Sequence, residues 1–264
     1  MDTDASYKKS PLTFYLLLFA LSIPFWVFGA MVDSGLPLPV NLPVSALMFI
    51  CPLTAALILV YRKDKLGGIR ELFKIVFDDK KIKQKIWYLP SIFLMPIIML
   101  LSYGVMRLRG TAFPELHISI FAILIFFIMF FISAVGEEAG WMGYVYEPMQ
   151  DRWSALKSSI IMGSVWAIWH AVPYIQTHNT LKWIVWQCFF TIAARVLIVW
   201  LYNNTGKSIL PAILFHTMIN VSWAVFPSYG SHYDPAISGG IIIITAVIIT
   251  FLWGTTTLAR FRYN

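Results

Sequence analysis

The sequence predicts an all-α fold: a polytopic bundle of about eight transmembrane helices with one amphipathic helix lying at the membrane surface. Charged residues make up only 12% of the 264 residues, while apolar and aromatic types make up 59%, against about 25% charged in an ordinary soluble domain. Windows of about 20 apolar residues, the length that crosses a hydrocarbon core, recur along the whole chain. The basic residues between them are also strongly one-sided.

The first span runs from Pro11 to Val32. Lys8 and Lys9 ahead of it and Ala30 near its end imitate a secretory signal. The run is nonetheless longer than the roughly 7 to 15 residues of a signal core, and Phe28 is a poor residue three before the break, so it reads as a retained span. Further spans follow from Pro43 to Tyr61, Trp87 to Met106, Ile118 to about Tyr146, Leu156 to Ile175, Trp183 to Tyr202, Ser208 to Phe226 and Ala236 to Trp253. Pro24, Pro52, Pro90 and Pro96 fall inside spans and predict local kinks. Between the second and third spans, Ile69, Leu72, Phe73, Val76 and Phe77 repeat at the spacing of one helical face, with Arg70, Glu71 and Lys74 on another. This is the pattern of an interfacial helix. No internal repeat or low-complexity linker divides the chain, so residues 1–264 read as a single integral-membrane domain.

A net charge of +7 raises the question of nucleic acid, but the basic residues lie in the connections between spans. The partner they imply is the anionic surface of a lipid bilayer, not nucleic acid. Sixteen Lys and Arg residues fall on the side of the termini, including the nine between Arg62 and Lys85, against Arg107, Arg109 and Lys182 on the other. Both termini are therefore expected in the cytoplasm. Cys51 and Cys188 lie within apolar segments and imply no disulfide.

From His117 to Glu137 no charged residue occurs, and then Glu137 and Glu138 stand together in Ser133-Ala134-Val135-Gly136-Glu137-Glu138-Ala139-Gly140-Trp141-Met142-Gly143. An ionised carboxylate there costs several kcal/mol unless something compensates it. Trp141, Met142, Tyr144 and Val145 continue the apolar character, and Gly136 with Gly140 forms a small-xxx-small pair that admits a neighbouring helix. Polar groups recur in later spans: His170 in Trp166-Ala167-Ile168-Trp169-His170, Arg195 in the sixth span, and His216 with Asn220 one turn apart in the seventh. Consecutive helical residues diverge by about 100°, so Glu137 and Glu138 cannot face one reacting atom together. One acts and the other supports it. His117, His178, His232 and Asp234 read as solvated or interfacial.

The order Glu-Glu-x-x-x-x-Gly, Trp-x-x-x-His, His-x-x-x-Asn on a multispan chain resembles the CPBP intramembrane protease family. That family includes CAAX prenyl endopeptidases of the second type, proteins like the lysostaphin-resistance protein, and bacteriocin-processing or immunity proteins. Glu137-Glu138-Ala139-Gly140-Trp141-x-Gly143-Tyr144 and Pro211-Ala212-Ile213-Leu214 before His216 carry the same likeness. It covers the segment from Ile118 to Trp223, a catalytic core at 118–223; the first three spans and the last share only hydropathy with it. The resemblance implies an intramembrane endopeptidase acting on membrane-associated peptides or proteins, prenylated CAAX-type substrates among them. It implies Glu137 as the base that activates water, His170 as its partner, and His216 with Asn220 at the oxyanion.

In the family the second Glu is paired with an Arg four residues on, and here that position is Met142. Either Arg195 replaces the missing partner or Glu138 remains protonated. If neither remedy operates, the alternative is a catalytically degenerate immunity or scaffold protein; a proton-coupled transporter using the same Glu and His groups is a third assignment. No cofactor is expected, with Zn²⁺ held by Glu137, His170 and His216 as the alternative. By depth, Glu137 falls in the cytoplasmic half of its span and His170 in the far half, so cleavage is expected near the cytoplasmic face once helix tilt closes the gap.

Overall fold

The computed structural model describes residues 9–32, 35–36, 38–113 and 120–259; Lys8, His117, Ile118, Arg260 and Arg262 lie outside the described residues. Among the described residues eight long helices form the bundle: α1 (Pro11–Met31), α2 (Cys51–Val76), α3 (Tyr88–Leu108), α4 (Ile120–Gly140), α5 (Ala155–Gln176), α6 (Leu181–Asn204), α7 (Leu210–Val225) and α8 (Pro235–Trp253). A 3₁₀ stretch, Val44–Ile50, leads into α2, and α4 runs on through a π-helical segment, Trp141–Tyr146, into a last turn at Glu147–Gln150.

Side-chain oxygens set several helix starts by taking up an orphan backbone N–H. Ser10 accepts from Thr13 N (3.3 Å), Ser154 from Lys157 N (3.2 Å), Thr180 from Trp183 N (3.3 Å) and Asp234 from Ala236 N (2.8 Å). The prolines divide into two groups. Pro52 and Pro90 sit in the first turns of α2 and α3, where the missing N–H has no helical partner to lose. Pro24 and Pro96, and with them Pro173, stand inside helices.

Among the described residues, six helices are long and apolar enough to cross a membrane. The other two, α5 and α7, carry His170, His216 and Asn220. Most of α7 is enclosed by the bundle, so its 16 residues need neither full membrane length nor an apolar surface. At the centre, α6 is buried along its second half from Ala193 to Asn204, with α5, α7 and α8 packed around it.

The expected amphipathic helix is the second part of α2, set off by a break at Lys65 (φ 54°, ψ −144°). Its apolar face is shared between two surroundings. Leu72 and Val76 are buried against the bundle, while Phe73 and Phe77 remain exposed.

One end of the molecule gathers the basic connections. Ser208 Oγ donates to the Asp78 carbonyl (2.8 Å), Lys207 pairs with Glu147 (2.9 Å), Ala155 N donates to the Thr256 carbonyl (2.8 Å), and Lys9 Nζ reaches the Gly143 carbonyl (3.4 Å). Burial holds the Lys9 ammonium below its usual pKa. The opposite end is tied by Gln176 Nε2 donating to the Trp26 carbonyl and by Tyr233 Oη donating to Gln187 (both 2.8 Å).

The small-xxx-small pair of α4 meets the entry to α2. A Cβ at Gly136 would stand 3.0 Å from the Phe49 carbonyl oxygen, and one at Gly140 only 2.5 Å from that of Pro52. Gly104 on α3 has nothing within 4 Å of the same position. Gly140→Ala is therefore expected to lower the thermal midpoint in detergent, at a cost of about 1–3 kcal/mol. Gly104→Ala should leave it unchanged or slightly raised.

Candidate active site

The two carboxylates leave α4 in different directions, as the 100° step between neighbours requires. Both are buried, Glu137 at 3% and Glu138 at 0% exposure.

Glu138 turns into the bundle and meets two partners. Arg195 Nη1 from α6 lies 2.7 Å from its Oε2, and His216 Nδ1 from α7 lies 2.8 Å from its Oε1. Met142 does not contribute a charge, and the counter-ion comes from another helix. The Arg195 guanidinium is itself fully buried, with its carbon 4.1 Å from the centre of the Trp166 ring and 5.8 Å from that of Trp141. A cation over an indole face gains by cation–π attraction what it lacks in hydrogen bonds; Arg195 Nε and Nη2 have no such partner. Gly163 on α5 makes the approach feasible, since a Cβ there would stand 3.1 Å from Arg195 Cβ.

Glu137 faces a cavity of about 580 Å³ that is also lined by Trp166, His170, Tyr174, His216 and Asn220. Trp166 Nε1 donates to Glu137 Oε2 at 2.9 Å. Because a carbonyl oxygen only accepts, the 3.0 Å contact between His170 Nδ1 and the Trp166 carbonyl fixes the His170 proton on Nδ1. Nε2 is left as the free acceptor of a ring that borders the cavity. An ionised Glu138 likewise requires Nδ1 of His216 to carry a hydrogen, and its Nε2 stands 3.9 Å from Glu137 Oε1. That separation is too long for a direct hydrogen bond and within reach of one shared water.

The depth mismatch expected between Glu137 and His170 is bridged by Trp166. It lies one turn from His170 on α5 and holds Glu137 directly, so both side chains border the same space. The sequence displays Trp166 only as the start of Trp-x-x-x-His and gives it no role. The i, i+4 step that links it to His170 is the signal that would have drawn attention to it. Trp169, which donates to Ser22 on α1 (2.8 Å), and Tyr174, stacked on the His170 ring at 5.9 Å, are further neighbours that sequence reasoning missed.

His178 is exposed, His232 contacts Ser231 Oγ (2.8 Å), and Asp234 caps α8. None of them joins the carboxylates.

Zn²⁺ held by Glu137, His170 and His216 is the alternative that the sequence leaves open. Among the described residues no three His, Cys, Asp or Glu side chains converge closely enough to hold an ion. Glu137, His170 and His216 each spend one oxygen or nitrogen on a protein partner, respectively Trp166 Nε1, the Trp166 carbonyl and Glu138, and keep the second.

The family likeness expected from the motifs is borne out by comparison with known proteins. Residues 119–222 match the family model described as type II CAAX prenyl endopeptidase Rce1-like. A CAAX prenyl protease 2 from Methanococcus maripaludis is 28% identical over 240 residues, covering 83% of this chain and 85% of the relative. With the helices able to cross a membrane, these matches support an integral multi-pass membrane protein and, at the level of the family, an intramembrane endopeptidase.

The Glu138–Arg195 pair yields a double-mutant test. Removing one partner of a buried ion pair strands the other charge, so Arg195→Met is expected to destabilise the protein by roughly 3–5 kcal/mol. Arg195→Met combined with Glu138→Gln should recover most of that loss, read as the thermal midpoint in detergent.

Proposed function

We propose that the chain is an intramembrane endopeptidase that cleaves membrane-associated peptides, CAAX-type prenylated substrates included, by glutamate-activated water. The observation that carries this assignment is a single cavity bordered by one buried carboxylate, two imidazoles and one amide from three helices.

In this scheme Glu137 takes a proton from a water molecule that His170 Nε2 holds by accepting its other hydrogen. The water oxygen bonds to the scissile carbonyl carbon. Asn220 and His216 supply N–H groups to the oxygen on which negative charge develops. For His216 to donate from Nε2, its Nδ1 hydrogen stays with Glu138, whose Oε1 is 2.8 Å away. When the C–N bond breaks, the proton on Glu137 passes to the leaving amine. Glu138 keeps His216 in its orientation, and Arg195 keeps Glu138 ionised. No step requires a metal ion.

The absence of an Arg at Met142 is the sequence feature that favours a degenerate scaffold. Arg195 removes that reason by placing a guanidinium 2.7 Å from Glu138.

The test is cleavage of quenched peptides, with and without a farnesylated cysteine, by detergent-purified protein in the presence and absence of a chelator. Activity is expected to survive chelation and to fall by roughly 10²–10⁴-fold in Glu137→Gln. Wild-type turnover in that variant would rule out the assignment. Trp166→Phe keeps the ring and loses the 2.9 Å hydrogen bond to Glu137. A bond to a charged group is worth about 1.5–3 kcal/mol, so kcat/KM should drop by about ten- to a hundredfold with folding preserved.

A further inference from the structure

A peptide that enters the cavity brings its backbone with it. Each residue carries an N–H and a C=O that were bonded to water outside, and burying them against apolar side chains without partners costs free energy that binding must recover. A cavity that takes peptides therefore needs hydrogen-bonding groups along its wall as well as at its floor.

Such groups are collected on one side. The wall contributed by α3, α4 and the stretch that leads into α2 presents Leu42, Leu47, Met95, Met99, Met129 and Phe130, with Asn41 and Ser133 as its polar members. Tyr174, Thr177, Asn179, Gln187, Thr191 and Tyr233 stand on the wall contributed by α5, α6 and the connections beside them. α5 and α6 pack on each other, so this wall is continuous. Its cavity-facing positions include Trp166, His170 and Tyr174 on α5 and Trp183, Gln187 and Thr191 on α6, each set spaced by four residues along one helical face.

Within that wall the hydrogen bonds orient one amide. Tyr233 Oη donates to Gln187 Oε1 at 2.8 Å, and Trp183 packs edge-on against both Tyr174 (5.4 Å) and Tyr233 (6.1 Å). With its oxygen turned to Tyr233, Gln187 presents Nε2 and two hydrogens to its other surroundings, the Tyr174 hydroxyl among them. One amide hydrogen serves Tyr174, and the second is left over. Thr191 Oγ1 has its own hydrogen on the Gln187 carbonyl (2.8 Å). Tyr174 and Gln187 remain partly exposed where they border the cavity. Both are neutral donors, and the neutral acceptor that matches them is an amide carbonyl.

We infer that Tyr174 and Gln187 bind the substrate backbone: they hold a peptide carbonyl about two residues from the scissile bond and lay the chain along α5 and α6, with alternate side chains toward the methionine wall. The inference rests on the peptidase assignment and adds to it a contact with the substrate. Tyr174 is one turn from His170 on α5, about 6 Å along the axis at 1.5 Å per residue, and an extended chain covers that distance in about two residues. The Tyr174 ring also lies over that of His170, at 5.9 Å with 25° between planes. The side chain that holds the backbone is thus packed on the imidazole assigned to the water.

The test is a cycle between protein side chain and substrate backbone. A fluorescent apolar peptide is titrated against detergent-purified Glu137→Gln protein, which is expected to bind without cutting, and then against the same protein with Tyr174→Phe or Gln187→Leu added. A series of peptides carries one backbone amide at a time replaced by an ester, whose carbonyl is a weaker acceptor. With the unmodified peptide each added substitution is expected to weaken binding about three- to tenfold, the range for one neutral hydrogen bond. An ester about two residues from the scissile bond should weaken binding to the Glu137→Gln protein by a similar factor and have no further effect once Tyr174→Phe is present. Tyr174→Phe keeps the ring on His170, so in the otherwise unchanged protein KM should rise with kcat little altered. Ester losses that are the same with and without the Tyr174 hydroxyl, unchanged binding in both variants, or no binding of any peptide overturn the inference. The expected binding pattern with no cleavage by the wild-type protein rejects the peptidase assignment and leaves the backbone contact standing. Should one variant fail to fold, the other carries the same cycle, together with Tyr233→Phe, which releases Gln187 Oε1 and should also weaken binding.

Discussion

The buried ion pair between Glu138 and Arg195 is the constraint on which the rest of the site depends. Two adjacent carboxylates inside a membrane bundle cannot both be left to lipid or to vacant space. Arg195 resolves the problem for one of them at 2.7 Å, and the other oxygen of that carboxylate is then free to accept from His216 at 2.8 Å. Orientation passes from α6 through α4 to α7 in two contacts. The guanidinium is held in turn by the faces of Trp141 and Trp166, and Trp166 is also the side chain that fixes Glu137. The group that supports one carboxylate is thereby coupled to the group that positions the other.

Much of the fold was legible because hydrophobic thickness imposes a length that is visible in composition alone. The eight expected spans are helical among the described residues, seven with ends that shift by a few residues, while the one from Pro43 to Tyr61 begins as the 3₁₀ stretch Val44–Ile50 and runs on in α2 to Val76. Less legible was which helices face lipid. The expected spans from Leu156 to Ile175 and from Ser208 to Phe226 resemble the others by hydropathy. Yet α5 and α7 fall outside the six that meet the length and apolarity of a membrane crossing, since burial by neighbours replaces lipid around them. Pro52 and Pro90 show a similar limit. A window of apolar residues does not say where the helix begins, and a proline at the start of a helix bends nothing.

At the site, the residue types were readable and Arg195 was one of two remedies offered for Glu138, whereas the contact of His216 with Glu138 and of Trp166 with Glu137 was not readable. Charge inside an apolar run marks Glu137, Glu138, Arg195, His170 and His216 because each is expensive there. The reach of Arg195 to Glu138 depends on how closely α6 packs against α5, a closeness that Gly163 admits and the indole rings flank, and these carry no polar signal in the sequence. Trp166 escaped notice for a related reason. An indole counts as apolar in any hydropathy window, although its N–H is the direct donor to Glu137.

The π-helical segment from Trp141 to Tyr146 has a bearing on how motif spacing should be counted in this chain. In a regular helix the residue four places on from Glu138 stands one turn above it, and a basic group at Met142 would lie against the carboxylate. A π turn closes at i+5 instead. Gly143 lies inside that segment, and a Cβ there would stand 3.9 Å from the Glu138 carbonyl oxygen. The widened turn changes the angular phase of everything after it, so positions counted from Glu137 and Glu138 on a 3.6-residue period no longer keep their face of the helix beyond Tyr146.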